Sequence, residues 1–595
     1  MLLPVLFLLL LELCLRILGY GHEIGLFITD PDDKNAWVMN SHASEKFFSN
    51  TTDATVGNSE KFSKEKAPGT LRIFVLGEST TIGYPYMHNG SFHRMLQYRL
   101  LREYPQLNTE IINLSLTAVN SYTVLDFAKQ VAACEPDAVF IYCGHNEYYG
   151  AMGVASTNAV NGNPLFIRTL FALRGSRVWQ LLNNAYHTMF SRKAATKMQE
   201  ENLMERMAGK QQVPYQSELY KKGIAQFEHN MQEVCTIFSG KNIPVFMSNL
   251  VSNEKDLAPF ISTPGKDGAA DYFQQAKQTY HNGDYTIAKS LFSKASELDL
   301  LKFRAPDEMN KTIAMLCKKN KGIHLVDTKQ LFVHSSAGGI LGNETLLEHV
   351  HPNLYGYALL SEAFYQAIKT QHLLPANSNN AMRFEQLRNE LPVTMVDSIK
   401  GAFEIAALKM RWPFHDSVKP LPVQSFEARL ASKLLTKELS WNNMLDTLMP
   451  YYLQHRNYVE ALKVAESALL EYPHNTTFYL FAANCSKQLK DTGRLVLYLG
   501  KAFQLSASPA LAKQLVDAHL ASDDPAGAMP YLDYLITNTR AADMIAVKKM
   551  LTETVAYKKV LDSSFSKTIA LQVAEVYRKL GYDAVAGKYN AMKKL

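Results

Sequence analysis

Along residues 66–145, the pattern of hydrophobic and polar positions alternates between one that is typical of strands and one that is typical of helices. Three mostly apolar runs have the length of strands, at 71–76, 110–114 and 138–143. Between them, two segments place apolar side chains every three or four residues, as amphipathic helices do. Mostly apolar strands joined by helices are typical of a parallel sheet that is covered on both faces. This part of the chain is therefore predicted to be α/β.

The same domain is predicted to continue well beyond its first three strands. Further strand-like runs occur at 243–249 and 324–327, and 354–370 has the spacing of an amphipathic helix. We therefore predict one α/β domain at residues 66–372. Two insertions are predicted to interrupt it, at 150–240 and 253–320.

Helical repeats form a second pattern in the chain. Residues 271–300 have the spacing of one helix–turn–helix unit of the tetratricopeptide type. Ala468 and Ala502 show the 34-residue period of such repeats. We predict an all-α tetratricopeptide-like solenoid at 441–595, with a generic helical bundle as the alternative, and a helical connector at 373–440. Because the concave face of a solenoid commonly binds proteins, a protein partner is expected there.

The N-terminal residues differ from the rest of the chain. Residues 1–18 are almost wholly apolar and are interrupted only by Glu12 and Arg16. We predict a membrane anchor or signal at 1–20, and favour an uncleaved anchor because no basic residues precede the apolar run and no small-residue cleavage site follows it. A buried core helix is the remaining alternative. An anchor would place the catalytic domain outside the cytoplasm, in the periplasm of a bacterium, with 21–65 as a linker or arm.

Composition narrows the class of protein. The chain has 595 residues, of which 47% are hydrophobic and 20% are charged, as in globular proteins. The net charge of +6 is spread over 62 basic and 56 acidic side chains without a basic block, so a nucleic-acid partner is not expected. The six cysteines are far apart and form no C-x-x-C pair, which argues against a zinc site. No phosphate-binding or dinucleotide-binding glycine motif occurs, so we predict neither a cofactor nor a bound metal.

Polar motifs follow the predicted strands at the points where those strands end. Gly77-Glu78-Ser79 follows the first strand, Ala118 to Asn120 come after the second, and Gly144-His145-Asn146-Glu147 follows the third. Glu348-His349-Val350-His351-Pro352 precedes the last helix. Because ligands of open α/β sheets bind at the carboxyl ends of the strands, these motifs are expected to converge.

Together the four motifs resemble the blocks of the SGNH (GDSL-type) hydrolase family. Gly77-Glu78-Ser79 is similar to the G-D-S block, and Gly144-His145-Asn146-Glu147 is similar to G-x-N-D. Ala118 stands where the family has a glycine, and Glu348 to Pro352 are similar to D-x-x-H-P. The resemblance covers residues 66–372 and implies a flavodoxin-like three-layer sandwich with a parallel sheet.

The resemblance also implies roles for individual residues. Ser79 would be the nucleophile, His351 the base, and Glu348 the carboxylate that orients the base. The oxyanion hole would be formed by Ser79, Ala118 and Asn146. Glutamate replaces the family's aspartate at 78, 147 and 348, which keeps the carboxylate on a longer arm. Alanine at 118 is expected to be tolerated, provided that its φ is negative, since only its backbone N–H is needed.

Two alternative site assignments remain open at this stage. His349 competes with His351 for the role of the base, although only His351 has the three-residue offset from Glu348 and the following proline. The side chains of His145, Glu348, His349 and His351 could also form a metal site, although their spacing fits the serine-centred assignment better.

The sequence therefore predicts a membrane-anchored serine esterase without a cofactor. Its substrate would be a carboxylic ester, such as an O-acetyl ester, of a cell-envelope glycan or lipid. Two alternatives remain: an O-acyltransferase that uses the same triad, and a catalytically inactive scaffold that binds a partner through its repeats.

Overall fold

The chain forms two compact units in a computed structural model. This structure describes residues 2–157, 159, 164–190, 202–376, 381–419, 421–539 and 542–592. The first unit comprises 1–391 and 396–436, and the second comprises 392–395 and 437–595. Parts of the predicted segments lie outside the described residues, namely 1, 158, 160–163, 191–201, 377–380, 420, 540–541 and 593–595.

A small antiparallel sheet forms in the N-terminal arm, residues 21–65. Its strands are β1 (Phe27–Thr29), β2 (Ala36–Met39) and β3 (Lys61–Ser63), and they pair in that order. The prediction of a linker or arm did not include this sheet. Strands of three or four residues are too short to establish an alternating pattern, so their pairing depends on contacts along the chain.

The central sheet of the first unit has five strands. They are β4 (Thr70–Gly77), β5 (Asn108–Asn113), β6 (Ala138–Tyr142), β7 (Val245–Ser248) and β8 (Ile323–Val326). All four neighbouring pairs are parallel, in the order β5-β4-β6-β7-β8. This order is that of flavodoxin-like sheets, and it confirms the predicted fold class. Every residue of β4 and β6 is buried, as the apolar runs indicated.

The first unit also contains the helices that cover this sheet. Their bounds are α1 (Leu2–Ile17), α2 (Ser79–Ile82), α3 (Phe92–Glu103), α4 (Ser121–Val131), α5 (Pro164–Arg174), α6 (Arg177–Phe190), α7 (Leu203–Ala208), α8 (Glu218–Ser239), α9 (Ala269–His281), α10 (Tyr285–Leu298), α11 (Asp307–Lys319), α12 (Thr328–His334), α13 (Leu354–Thr370), α14 (Phe384–Asn389), α15 (Met395–Lys409) and α16 (Phe426–Leu435). Short 3₁₀ turns occur at Thr51–Asp53, His88–Gly90 and Ala337–Gly339.

Two groups of helices sandwich the sheet. Helices α3 and α13 pack together, and Phe364 of α13 stacks between Phe92 of α3 and Phe140 of β6, at centroid distances of 4.9 and 4.7 Å. Helices α4, α8 and α11 form the second group. The carboxyl ends of the strands are left to the connecting loops, where the predicted motifs lie.

The N-terminal apolar segment forms α1. Its large apolar side chains are mostly exposed, for example Leu3 and Phe7 at 83% and 64%. Glu12 faces the body of the unit, where its carboxylate accepts a hydrogen bond from the backbone N–H of Val178 at the start of α6, whereas Arg16 is exposed and lies 2.8 Å from Glu12. Among the residues that the structure describes, no helix combines the length and the apolar character needed to cross a membrane, so the expected transmembrane helix is not supported.

The repeat-like segment at 271–300 forms a helical hairpin of α9 and α10. The rings of Phe273 and Phe292 pack edge to face at 5.4 Å. Ala276, Ala288 and Ala295 are buried between the helices, as the small-residue pattern indicated. A helix–turn–helix unit is therefore present inside the predicted second insertion.

The second unit is all-helical in its described residues. Its helices are α17 (Trp441–Gln454), α18 (Tyr458–Glu471), α19 (Thr476–Gln488), α20 (Thr492–Leu505), α21 (Pro509–Ala521), α22 (Pro525–Thr539), α23 (Ala542–Ser563), α24 (Lys567–Lys579) and α25 (Asp583–Ala591). Each helix packs against the next one along the chain. This agrees with the predicted all-α class, while membership of the tetratricopeptide family stays a prediction.

Candidate active site

Ser79, His351 and Glu348 meet at the carboxyl end of β4. The Oγ atom of Ser79 lies 2.7 Å from Nε2 of His351. The other ring nitrogen of His351, Nδ1, contacts Oε1 of Glu348. With the Nδ1–H donating to the carboxylate, Nε2 is free to accept the hydroxyl proton of Ser79. The structure therefore brings together residues that are up to 272 positions apart in the chain.

The turn that presents Ser79 depends on two glycines. A Cβ atom on Gly77 would lie 2.2 Å from both Thr81 Oγ1 and the Tyr142 carbonyl oxygen, so only glycine fits at the end of β4. Gly83 has a φ of 102° and ends α2 by donating its N–H to the carbonyl of Ser79. A single helical turn between these glycines leaves the Ser79 side chain half-buried, at the edge of the sheet.

Glu348 is shared by two histidines. Its side chain is fully buried, and it accepts backbone N–H groups from His349 at 2.5 Å and from His351 at 3.0 Å. Each carboxylate oxygen also contacts Nδ1 of one of the two rings. The longer arm of glutamate, compared with aspartate, is therefore accommodated, and both rings are held in one orientation.

The two histidines differ in what their rings face. His351 faces Ser79, whereas His349 lies among Phe260, Phe303 and Phe414 with ring centroids at 6.0, 6.1 and 5.6 Å. The geometry thus brings His351 to the serine, as the sequence predicted, and surrounds His349 with apolar rings.

Three of the four residues of the alternative metal site lie close together. Ligand atoms of Glu348, His349 and His351 lie within 4.8 Å of one another. His145, the fourth residue of that alternative, is not in this group and accepts a hydrogen bond from the backbone N–H of Ala305 at 3.2 Å. The group could hold an ion only if the Glu348 oxygens gave up their contacts with the two rings.

Burial sets the charge of the histidines. It lowers the pKa of His351 to about 3 and that of His145 to about 3, and it lowers the pKa of His349 as well. A neutral imidazole can accept a proton, so His351 is in the basic form at neutral pH.

The pH dependence of activity should reflect this burial. We expect the acidic limb of the kcat/KM profile to lie below the ordinary histidine pKa of 6.5, because the folded enzyme keeps His351 neutral as the pH falls through that value. A profile measured between about pH 4 and pH 9 with a non-titrating ester checks this. An acidic limb at or above the ordinary value would contradict it.

Glu78 clamps the loop that follows β6. Its buried carboxylate accepts the backbone N–H groups of Gly144, His145 and Asn146 at 3.1, 3.0 and 3.3 Å. Burial raises the pKa of Glu78 to about 8, and the nearby charge of Glu147 adds to this, whereas the accepted hydrogen bonds oppose it. The residue next to the nucleophile therefore holds the loop that carries Asn146.

Glu147 connects the same loop to the one that follows β5. It accepts hydrogen bonds from the N–H and the hydroxyl of Ser121 at 3.2 and 2.8 Å, and from the side chain of Gln226 at 2.6 Å. Burial raises its pKa to about 7. Sequence reasoning treated Glu78 and Glu147 only as replacements for aspartate. The motif letters do not reveal their partners, which lie 26 to 79 residues away.

Ala118 has a φ of 56°, so the negative φ on which the tolerance of alanine was expected to depend is not found. This is the left-handed region, which the glycine of the family motif adopts freely and in which a Cβ atom is strained. The Ala118 carbonyl accepts the N–H of Ala151 at 2.8 Å, and the Asn146 carbonyl accepts that of Gly150 at 2.6 Å. Both backbones are thus held in place, while their roles as oxyanion donors stay predictions.

Replacing Ala118 with glycine should remove this strain. We expect the variant Ala118→Gly to raise the free energy of unfolding of the first unit by about 1 kcal/mol. Chemical denaturation followed by tryptophan fluorescence measures the change. Ala132→Gly is the matched control, because Ala132 has a φ of −62° and glycine should destabilise the protein there. Equal effects of the two substitutions would contradict the strain.

Residues beyond 372 also form part of the site. The ring of Phe414 lies 5.6 Å from that of His349, and the ring of Trp412 lies 5.8 Å from that of Phe303. Helix α15 packs on the loop after Ser79, where a Cβ atom on Gly401 would lie 2.7 Å from the Tyr86 ring. The segment predicted as a connector therefore supplies an aromatic wall, which no sequence motif indicated.

Comparisons with known proteins give only distant similarities. No family model matches the chain, and no curated protein matches it. Among solved structures, the esterase EstA from Pseudoalteromonas sp. is 12% identical with a TM-score of 0.25, over 51% of this chain and 99% of that chain. A GDSL-like lipase from Bacteroides thetaiotaomicron is 14% identical with a TM-score of 0.27, over 52% and 93%. An acetylxylan esterase from Geobacillus stearothermophilus is 12% identical with a TM-score of 0.27, over 50% and 95%.

Proposed function

We propose that the chain is a serine ester hydrolase of the SGNH type. The observation that carries this proposal is the 2.7 Å approach of Ser79 Oγ to His351 Nε2, at the carboxyl edge of a parallel sheet. A hydroxyl on the basic nitrogen of a neutral imidazole, whose other nitrogen faces a carboxylate, is the arrangement that activates a serine.

The proposed reaction runs through an acyl-enzyme. Ser79 Oγ attacks the ester carbonyl, and His351 takes the hydroxyl proton. The tetrahedral oxyanion is stabilised by the N–H groups of Ser79 and Ala118 and by the Asn146 amide, each worth roughly 10²–10³ in rate. His351 then donates its proton to the leaving alcohol. A water molecule, deprotonated by His351, releases the acid and restores Ser79.

The substrate we propose is a carboxylic ester of a cell-envelope glycan or lipid, with an O-acetyl group as the acyl part. Aromatic side chains next to the histidines, including Tyr84 and Phe414, would pack against the apolar face of a sugar or an acyl chain. We also propose that α1, whose apolar side chains are exposed, attaches the protein to a membrane, with the catalytic domain outside the cytoplasm. We further propose that the helices of the second unit bind a protein partner.

Hydrolysis of p-nitrophenyl acetate tests the proposal. Wild type should release p-nitrophenol, a fluorophosphonate probe should label Ser79, and Ser79→Ala should do neither. Folded wild-type protein that releases nothing and takes no label would overturn the proposal and favour the scaffold. An O-acetylated oligosaccharide, given together with an acceptor sugar, then distinguishes the two candidate activities. Release of free acetate indicates a hydrolase, and acetylation of the acceptor sugar indicates an acyltransferase.

A further inference from the structure

A cluster of His22, His42 and Glu45 lies in the N-terminal arm and takes no part in the proposed reaction. His22 Nε2 lies 2.6 Å from one carboxylate oxygen of Glu45, and His42 Nδ1 lies 2.6 Å from the other. The two imidazoles are stacked, with centroids 3.8 Å apart and planes 26° apart. We propose that these three side chains bind a zinc ion.

Both ring nitrogens lie next to the carboxylate of Glu45, so three ligand atoms are already close together. All three ligand atoms lie within 4.8 Å of one another. Two imidazoles and one glutamate form a ligand set that Zn²⁺ accepts, with Zn–N and Zn–O distances of roughly 2.0–2.2 Å and a fourth position for water. An ion at this point would take the place of the two protons that the rings now share with Glu45.

Only a small rearrangement is needed to admit the ion. A nitrogen and an oxygen bound to one tetrahedral zinc ion lie roughly 3.4 Å apart, so the carboxylate must retreat by about 0.8 Å. The rings must also open so that both lone pairs point at the ion. The side chains of His22 and His42 are 39% and 44% exposed, which leaves them room to turn and leaves the site open to solution. Each displaced proton can move to the other nitrogen of its ring.

The backbone that carries the ligands is already fixed. The N–H of His22 donates to the side chain of Gln180 at 3.0 Å, and the Gln180 amide donates back to the His22 carbonyl at 2.9 Å. The N–H of His42 donates to Asn40 Oδ1 at 3.0 Å, and Asn40 also binds the carbonyls of Glu23 and Gly25. His42 and Glu45 belong to one turn, in which the Glu45 N–H donates to the His42 carbonyl. Such support is what holds metal ligands in register.

The proposed ion would be structural. It would join the segment that follows α1 to the turn that follows β2, and it would stabilise the folded arm in proportion to its affinity. This differs from the cysteine-based site that the sequence argued against, since the ligands are histidines from two separate segments.

Titration of the full-length, EDTA-treated protein with Zn²⁺ tests the proposal. We expect wild type to bind Zn²⁺ at neutral pH and to show the visible absorption of a low-symmetry Co²⁺ complex when Co²⁺ replaces zinc. His22→Gln, His42→Gln and Glu45→Gln should each weaken binding by about 100-fold or more, because loss of a direct ligand exceeds the usual effect of losing a supporting residue. Zinc should raise the thermal midpoint of wild type and not of the three variants.

The matched control is His229→Gln. His229 is half-exposed and lies 3.1 Å from Glu233, but within the described part of the chain it belongs to no group of three metal-ligating side chains, so its loss should leave zinc affinity unchanged. Absence of zinc binding by wild type overturns the proposal. So does binding that is equally strong in all three variants, which would place zinc elsewhere, for example at Glu348. The wild-type titration can overturn the proposal by itself, and three separate variants locate the ion, so one variant that folds poorly does not leave the question open.

Discussion

Replacing His351 with alanine is expected to lower kcat/KM for an ester substrate by roughly 10⁴–10⁶-fold. The Nε2 atom of His351 is the group within hydrogen-bond distance of Ser79 Oγ, at 2.7 Å, so its loss removes both the base and the later acid. Without it, Ser79 remains a neutral hydroxyl of low nucleophilicity. The comparison is made by steady-state kinetics of wild type and variant with p-nitrophenyl acetate.

His349→Ala is the matched control for this prediction. His349 contacts the same carboxylate, Glu348, but its ring faces Phe260, Phe303 and Phe414. We therefore expect a much smaller loss of kcat/KM, from the altered support of Glu348. If His349→Ala were the more damaging change in a folded protein, the assignment of the base would have to be reversed.

Replacing Glu348 with glutamine is expected to lower kcat/KM by about 10⁴-fold. Glutamine keeps the size of the side chain, but its one amide oxygen can replace only one carboxylate oxygen, whereas the N–H groups of His349 and His351 donate to different oxygens of Glu348. Glutamine also has no negative charge to stabilise the imidazolium that forms when His351 takes the serine proton. Its amide group can also donate to a ring nitrogen, which favours the wrong tautomer of His351.

Glu348→Asp separates the charge from the geometry. Aspartate restores the carboxylate on a shorter arm, so the loss should be smaller than with glutamine, and circular dichroism should show the native fold in both variants. Because Glu348 is fully buried, thermal unfolding is measured alongside the kinetics. Equal activity of wild type and Glu348→Gln would show that the carboxylate does not act through His351.

The apolar runs predicted the strands of the central sheet to within a few residues. The run at 71–76 became β4 and the run at 138–143 became β6, because continuous apolar residues can be buried on both faces only inside a covered sheet. The small alanines of 271–300 likewise predicted a helical hairpin. The short strands of the N-terminal arm were missed, since three residues carry no measurable period.

The sequence by itself determined which side chains could carry the chemistry. Ser79, Asn146, Glu348 and His351 stand in recognisable motifs beside elements whose periodicity is local. Their convergence then follows from the edge that parallel strands share. Local patterns contain this information because secondary structure depends on neighbours within a few positions.

Only the tertiary structure decided how the site is supported. It placed Ala118 in the left-handed region, and it brought Glu78 into hydrogen bonds with the loop after β6. It also brought Trp412 to the aromatic rings beside His349, and His22 to His42. These contacts join residues that are far apart in the chain, and a single contact between two distant segments leaves no period in the sequence of either. They form when the packed helices and strands bring those segments together, so they can be seen only in the folded protein.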